Sequence, residues 1–218
     1  MSNKPILFNT EMVRAILAGL KTQTRRVVKG MPLYEPYFTV DEGIPFACDG
    51  DGEWHPAEYF CPIQPGDVLW VRETWNYGYI ESSDTEGSHE SWFEELRKPA
   101  IGYLGAMSRY FYLADESDEQ IMSEIGGKWR PSIHMPREAA RIFLRVKDVR
   151  MERLQQIDAD GMRAEGLTSA AVHVGDMEIG LKEWEKLWNS TIKPADLPRY
   201  GWEANPWVWV FEFDMIEN

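Results

Sequence analysis

The chain of 218 residues has little of several features that would define its class. It holds two cysteines, Cys48 and Cys61, and four histidines. No secretory context accompanies the cysteines, which predicts reduced thiols. No stretch approaches the roughly 18 consecutive apolar residues of a membrane-spanning helix. The sequence therefore predicts a cytoplasmic protein without signal peptide, membrane span or disulfide framework.

Patterns for metal ions and for nucleotide phosphates are also absent. Five residues with potential ligand atoms fall within fourteen positions: Cys48, Asp49, Asp51, His55 and Cys61. The paired Cys-x-x-Cys or His spacing of a structural zinc site is missing, and so is the full calcium-loop pattern. No Gly-x-Gly-x-x-Gly or phosphate-loop pattern occurs. We therefore expect neither a metal nor a cofactor.

Basic residues are scarce and clustered. The chain has 23 Lys and Arg against 36 Asp and Glu, a formal net charge of -13. Residues 1–29 and 128–153 each carry a net charge of +5, whereas residues 30–127 carry -16. The overall negative field disfavours binding to duplex DNA. Two basic segments in an acidic body predict a focused pocket for a nucleoside, nucleotide or short single strand, with solvated surface charge as the alternative.

Hydrophobic residues make up 44% of the chain and ten are tryptophan, which predicts a folded core. Periodicity and capping signals predict strands at 5–8, 26–28, 68–75, 141–149 and 206–213, and helices at 12–17, 162–165 and 178–192. Two segments without sustained period, at about 30–63 and 76–127, are predicted to be long insertions, the second with helices near 91–97 and 116–124. This order favours an α+β fold built on a small mixed β-barrel over a doubly wound sheet.

The strongest functional signal is the segment Gly-Leu-Lys-Thr-Gln-Thr-Arg-Arg at residues 19–26. It places Lys21 three residues before Thr24, with Arg25 and Arg26 directly behind. Such a cluster can bind an anionic or polar ligand, and its Lys/Thr pair can supply an activated nucleophile. A structural role is equally available, because cations after a helix end complement the helix dipole.

The order of motifs resembles the ASCH domain of the PUA-like superfamily. The resemblance is carried by Gly19, Lys21, Thr24 and Arg26, by the Gly-Asp-Val-Leu-Trp-Val segment at 66–71, and by Ala164-Glu165-Gly166. Within that family the chain is similar to the long, tryptophan-rich members of bacteriophages and prophages. This similarity rests on residues 69–75, 129–136 and 205–207. It implies a phage or prophage protein in a bacterial host cell.

The resemblance implies a single PUA-like domain over 1–218, with a mixed β-barrel, flanking helices and the two insertions. It also implies a cleft beside the first helix that binds RNA, nucleosides or modified bases. Some small bacterial members are N4-acetylcytidine amidohydrolases, and others resemble ribonucleases or bind RNA without catalysis. A further alternative is that the acidic insertions bind a host protein. Fold transfers better than reaction in such comparisons.

The amidohydrolase reading, taken from the resemblance, assigns catalytic roles to Lys21, Thr24 and Glu165. Thr24 would attack the acetyl carbonyl, and Lys21 would act as its base. An unperturbed lysine has a pKa of roughly 10.4, which must fall toward about 7 to 8 for this role. Glu165 would orient the amine or protonate the departing nitrogen, and it opposes the fall of the lysine pKa.

Seven further residues are predicted to contact ligand: Arg25, Arg26, Glu73, Trp75, Trp129, Arg130 and His134. The tryptophans would stack on a base, while the basic residues would contact phosphate or ribose. The glutamate would accept a hydrogen bond from an exocyclic amine. Each has a structural alternative: core packing for the tryptophans, a salt bridge with Arg72 or Arg26 for Glu73, and a loop position for His134.

Overall fold

The computed structural model describes residues 2–30, 37–85, 88–95 and 108–216. Their contacts divide the chain into two compact units. Unit 1 comprises Met1–Lys4, Ala18–Val68 and Leu144–Asn218, and unit 2 comprises Pro5–Leu17 and Leu69–Phe143. Helices and strands are mixed, which confirms the α+β class. Among the described residues no sheet closes on itself, so the predicted barrel is not confirmed.

The described strands are β1 Asn3–Leu7, β2 Gln23–Val27, β3 Phe38–Asp41, β4 Ile44–Cys48, β5 Trp54–Pro56, β6 Val68–Arg72, β7 Trp75–Thr85, β8 Ser88–Glu95, β9 Arg109–Tyr112, β10 Phe143–Arg153 and β11 Trp207–Met215. The described α-helices are α1 Thr10–Leu17, α2 Glu116–Glu124, α3 Ala159–Ala164, α4 Ala170–Val174, α5 Met177–Thr191 and α6 Leu197–Tyr200. All five predicted strands and all three predicted helices outside the insertions are confirmed within a few residues.

Three antiparallel strands in the order β2-β11-β10 position the functional residues of unit 1. Val208 and Val210 of β11 pack against a hydrophobic cluster that includes Met162 of α3 and Trp184 and Trp188 of α5. Because side chains alternate along a strand, Gln23, Arg25 and Val27 of β2 share the sheet face that these helices cover.

A β-bulge in β10 shapes the edge of this sheet. Val146 pairs with Phe213 and Asp148 pairs with Glu212, so Lys147 is the extra residue between them. A bulge bends its strand and redirects the inserted side chain. The alternation of β10 carries a trace of the bulge, because the buried apolar positions change from Leu144 and Val146 to Val149 and Met151.

The structure corrects the description of the two insertions. The first is not one long loop, since β3, β4 and β5 form an antiparallel sheet within it. Its strands are of three to five residues, too short for a visible period, and the turn between β3 and β4 needs positive φ at Glu42 and Gly43.

In the second insertion α2 confirms the helix near 116–124, but the predicted helix near 91–97 is wrong for residues 91–95. These residues lie in β8, which pairs with β7, so cross-strand hydrogen bonding overrides the local helical pattern. Residues 96 and 97 fall outside the described part of the chain. The side chains at 81–95, on which host-protein binding was expected to depend, are likewise outside it.

Candidate functional site

Lys21 and Glu165 meet in the interior of unit 1. The Lys21 Nζ atom donates to Oε2 of Glu165 at 2.6 Å and to its main-chain oxygen at 2.9 Å. The two side chains are 0% and 2% exposed. Their backbones also form an isolated antiparallel bridge. Glu165 stands at the C-terminal end of α3. Asp158 caps the start of this helix by accepting a hydrogen bond from Gly161 N, and Gly166, with a φ of 92°, follows its end.

Arg25 completes a buried group of charges around Glu165. Its Nη1 atom donates to Oε1 of Glu165 at 3.1 Å and to Oε1 of Gln23 at 2.9 Å. Its Nε and Nη2 atoms donate to Oε1 of Glu152 at 3.0 and 2.6 Å. The Glu165 carboxylate is therefore held between two cations, and each cation has a carboxylate partner. Buried charges are tolerated when they are paired in this way.

Thr24 and Arg26 project from the other side of β2. Alternation along the strand sets them on the face opposite Gln23 and Arg25. Thr24 has no exposed surface. Its Oγ1 accepts a hydrogen bond from Arg26 Nη1 at 2.7 Å. Hydrogen bonds join Lys21 to Glu165 and Thr24 to Arg26, and the catalytic pairing of Lys21 with Thr24 stays a prediction.

Burial perturbs the basic groups of this cluster. Burial lowers the pKa of Lys21, while the neighbouring Glu165 carboxylate opposes that change. Burial likewise lowers the pKa of Arg26, and Glu165 again acts in the opposite direction. A buried lysine with a lowered pKa is the kind of group found at functional sites, although structural ion pairs produce the same effect.

A cavity of about 410 Å³ opens next to the buried charges, within the range of small-molecule sites. Strand β2, the bulged end of the β10–β11 pair and the start of α3 form its wall. Its lining residues are Thr22, Gln23, Lys147, Arg150, Asp158, Asp160, Gly161, Ala164, Glu212, Phe213 and Asp214. Thr22 and Gln23 lie between Lys21 and Thr24 in the chain, and Ala164 precedes Glu165. The lining residue Gln23 contacts Arg25, which in turn contacts Glu165.

Glu73 occupies a comparable buried position in unit 2. It is 1% exposed, and Arg141 donates to its two oxygens from Nε at 3.0 Å and from Nη2 at 3.1 Å. Burial raises the pKa of Glu73, and Arg141 opposes that change. The expected salt bridge of Glu73 thus exists, but its partner is Arg141 rather than Arg72 or Arg26. No local pattern indicates this partner, because 68 positions separate the two residues.

Trp75 and Arg130, also in unit 2, form a close pair. Their main chains exchange two hydrogen bonds of 3.2 and 2.8 Å, and the Arg130 guanidinium lies 5.1 Å from the centre of the Trp75 ring. Trp75 is 5% exposed and packs with Tyr77, which favours core packing over base stacking. Trp129 is half-buried, and His134 is exposed at the end of a 3-10 turn.

One group of possible metal ligands lies on the β4–β5 hairpin. Single ligand atoms of Asp49, Glu53 and His55 fall within 4.8 Å of one another. The His55 Nε2 and Asp49 Oδ2 atoms are 3.0 Å apart and share a hydrogen bond. Oδ1 of Asp49 accepts from the main-chain N–H of Asp51 and of Glu53. These hydrogen bonds stabilise the turn, which gives the clustering of Asp49, Glu53 and His55 a structural explanation.

Sequence reasoning missed the residues that connect the cavity to the buried charges. These are Gln23, Glu152 and Glu212, together with Arg150, whose Nη1 donates to Glu212 Oε1 at 2.6 Å. A signal was available, since Glu212 interrupts the apolar run of β11 between Phe211 and Phe213. The cross-strand position that pairs it with Gln23 could not be read without the register.

No helix in the described part of the chain is long and apolar enough to cross a membrane. No family profile matches the chain, and no curated protein matches it. Among solved structures, an ASCH domain from Lactobacillus crispatus JV V101 is similar. The alignment covers 98% of this chain and 79% of that chain, with 11% identity and a TM-score of 0.35. At these values the similarity carries no argument about reaction or ligand.

Proposed function

We propose that unit 1 is an ASCH-type recognition module that binds a nucleoside, a nucleotide or single-stranded RNA in the cavity beside β2. The observation that carries the proposal is the buried Lys21–Glu165–Arg25 cluster, which is hydrogen-bonded through Arg25 to Gln23 in the lining of a small-molecule-sized cavity. Burying three charges costs free energy even when they are paired. A rigid, hydrogen-bonded support for a binding surface is a function that explains why such a cluster is kept. The class of ligand in this proposal is taken from the ASCH-like order of motifs in the sequence.

The charges around the cavity favour a small or single-stranded ligand over duplex DNA. Lys147 and Arg150 are its basic lining residues, against four carboxylates at Asp158, Asp160, Glu212 and Asp214. Both cations already contact carboxylates within 3.4 Å. Such a wall cannot neutralise a row of phosphates, which is how proteins hold duplex DNA.

The test is a binding panel measured by titration calorimetry with cytidine, cytidine 5′-monophosphate, a short single-stranded RNA and a DNA duplex. We expect binding to at least one of the first three and none to the duplex. Arg150→Ala should weaken that binding about tenfold. Lys182→Ala removes an equal charge from an exposed helix position and should have no effect. Lack of binding to all three ligands by the folded protein would sink the proposal.

A second candidate function is hydrolysis of N4-acylated cytidine, favoured by the lowered pKa of buried Lys21. In this reading Lys21 is the base, Thr24 is the nucleophile and Glu165 orients the amine. Access to these groups requires the cavity wall to open, because Lys21 and Thr24 have at most 2% exposed surface.

Acetate release from N4-acetylcytidine tests this second candidate. Thr24→Val keeps the side-chain shape and removes the hydroxyl, so it should abolish release. Thr168→Val makes the same change at an exposed position and should leave the rate unchanged. Activity that survives in Thr24→Val, or that is missing from the wild type, excludes the reaction while leaving ligand recognition intact.

A further inference from the structure

Gln23 joins the cavity to the buried charges. It is 4% exposed, yet it is one of the residues that line the cavity. It stands directly opposite Glu212 in the β2–β11 register. Its Nε2 atom donates to Glu212 Oε1 at 3.0 Å, and its Oε1 atom accepts from Arg25 Nη1 at 2.9 Å. One amide group therefore touches the rim of the cavity and the interior cluster at the same time.

The two partners fix which end of the Gln23 amide is oxygen. A guanidinium group only donates hydrogen bonds, and a carboxylate only accepts them. A flipped amide would set donor against donor at Arg25 and acceptor against acceptor at Glu212. Amide orientation is often ambiguous, but here the chemistry of both neighbours selects one arrangement.

Both partners of the amide are themselves held in place. Arg25 is bound by Glu165 and Glu152, and its side chain is 2% exposed. Glu212 accepts a second hydrogen bond from Arg150 at 2.6 Å. The amide is consequently preorganised, and a ligand that binds to it does not have to order the side chain first. Preorganised polar groups are the usual source of selectivity at a binding site.

The two contacts together use half of the hydrogen-bonding capacity of the amide. A primary amide has two N–H donors and two acceptor lone pairs. One donor is used by Glu212 and one lone pair by Arg25, which leaves one of each. An amide with this pattern pairs with a planar edge that carries an acceptor beside a donor, as glutamine does with adenine.

We propose that Gln23 is the specificity-determining residue of unit 1. It selects a small planar ligand whose edge places a ring-nitrogen acceptor beside an exocyclic amine donor, as in cytosine or adenine. The ring nitrogen of such a ligand accepts from the remaining N–H of Gln23, and its amine donates to the remaining lone pair of Gln23 Oε1. This inference rests on the proposed function and narrows it to ligands with that edge.

The experiment compares cytidine with 3-deazacytidine, in which a C–H group replaces the ring-nitrogen acceptor. The wild-type protein should bind cytidine about tenfold more tightly, the effect of one well-formed hydrogen bond. Gln23→Met, which has a similar size and no amide, should bind both compounds equally. Gln23→Glu keeps an acceptor for Arg25 and removes the donor, so it should also lose the preference. Lys182→Ala should retain it.

The outcomes separate the two proposals. A wild-type protein that binds cytidine without preferring it over 3-deazacytidine overturns the role of Gln23 and leaves the proposed function standing. The same conclusion follows if folded Gln23→Met or Gln23→Glu keeps the full preference. A wild-type protein that binds neither these compounds nor the nucleotide and RNA of the binding panel overturns both proposals.

Discussion

The ammonium group of Lys21 lies 2.6 Å from Oε2 of Glu165, although 144 positions separate the two residues in the chain. Both side chains are almost completely withdrawn from solvent. Lys21 lies two residues after Gly19, which has a positive φ, and Glu165 is the C-cap residue of α3. The ion pair joins these two segments. The contact anchors the segment before β2 to the end of α3, next to the lining residues Thr22 and Ala164.

Removing one member of this ion pair should destabilise the protein strongly. We expect Glu165→Gln to lower the free energy of unfolding by about 3–5 kcal/mol, because the buried Lys21 ammonium loses this carboxylate, and Lys21→Met to cost less, because Arg25 still contacts Glu165. The double variant should cost clearly less than the sum of the two. Urea unfolding of the three variants measures this coupling.

The exposed pair Lys182–Glu178 on α5 is the matched control for that cycle. Its side chains are 69% and 80% exposed at a distance of 2.7 Å. Lys182→Met should leave the free energy of unfolding close to that of the wild type, because exposed ion pairs contribute little. If Lys21→Met and Glu165→Gln have additive effects on the free energy of unfolding, the two buried side chains are not coupled, and the prediction is wrong.

Asp67 should make unit 1 sensitive to acid. Its hydrogen bond from Lys4 at 2.5 Å, aided by the main-chain N–H groups of Ser2 and Gln64, holds the pKa of Asp67 well below its usual range. A carboxylate with a depressed folded-state pKa contributes stability above the unfolded pKa of about 3.9, and the contribution is lost as the pH falls.

We therefore expect Asp67→Asn to reduce stability near neutral pH and to flatten its decline below about pH 4. Thermal unfolding across a pH series gives both quantities. Asp196→Asn, at an exposed position of the same unit, should leave the pH profile unchanged. An unchanged acid profile in Asp67→Asn would contradict the assignment.

The two thiols should differ in reactivity. Cys61 is 4% exposed, and burial raises its pKa to about 11. Cys48 is half-buried, and its thiol donates to the main-chain oxygen of Asp49 at 3.6 Å. Because the thiolate is the reactive form, iodoacetamide at pH 8 should label Cys48 and spare Cys61 in the folded protein. Peptide mapping by mass spectrometry distinguishes the sites, and denaturant should make them equal. Faster labelling of Cys61 than of Cys48 in the folded protein would contradict the burial of Cys61.

In unit 2 the bidentate contact from Arg141 to Glu73 should not tolerate lysine. A single ammonium cannot reproduce two parallel hydrogen bonds, and one buried carboxylate oxygen is left without a donor. We expect Arg141→Lys to lower the free energy of unfolding by about 1–3 kcal/mol. Arg109→Lys, where the arginine is 48% exposed, is the conservative control and should cost less. Equal costs would indicate that the second hydrogen bond contributes nothing.

Local sequence patterns were sufficient for most elements of the fold. Val13 and Ile16 give the buried face of α1, Gly19 adopts the positive φ that follows it, and Asp158 caps α3. These features depend on neighbours in the chain, so residue type and spacing determine them. The sheet of β3 to β5 was missed because each strand is too short to display a period.

The sequence by itself determined that residues 19–26 hold a concentrated set of functional groups, that Glu165 ends a short helix, and that most regular elements lie where they do. Only the tertiary structure decided which of those groups meet. Strand alternation turned Thr24 away from Arg25, and the β2–β11 register brought Gln23 to Glu212. Packing of α3 carried Glu165 to Lys21. Pairings across 140 and more positions depend on register and burial, which no local window contains.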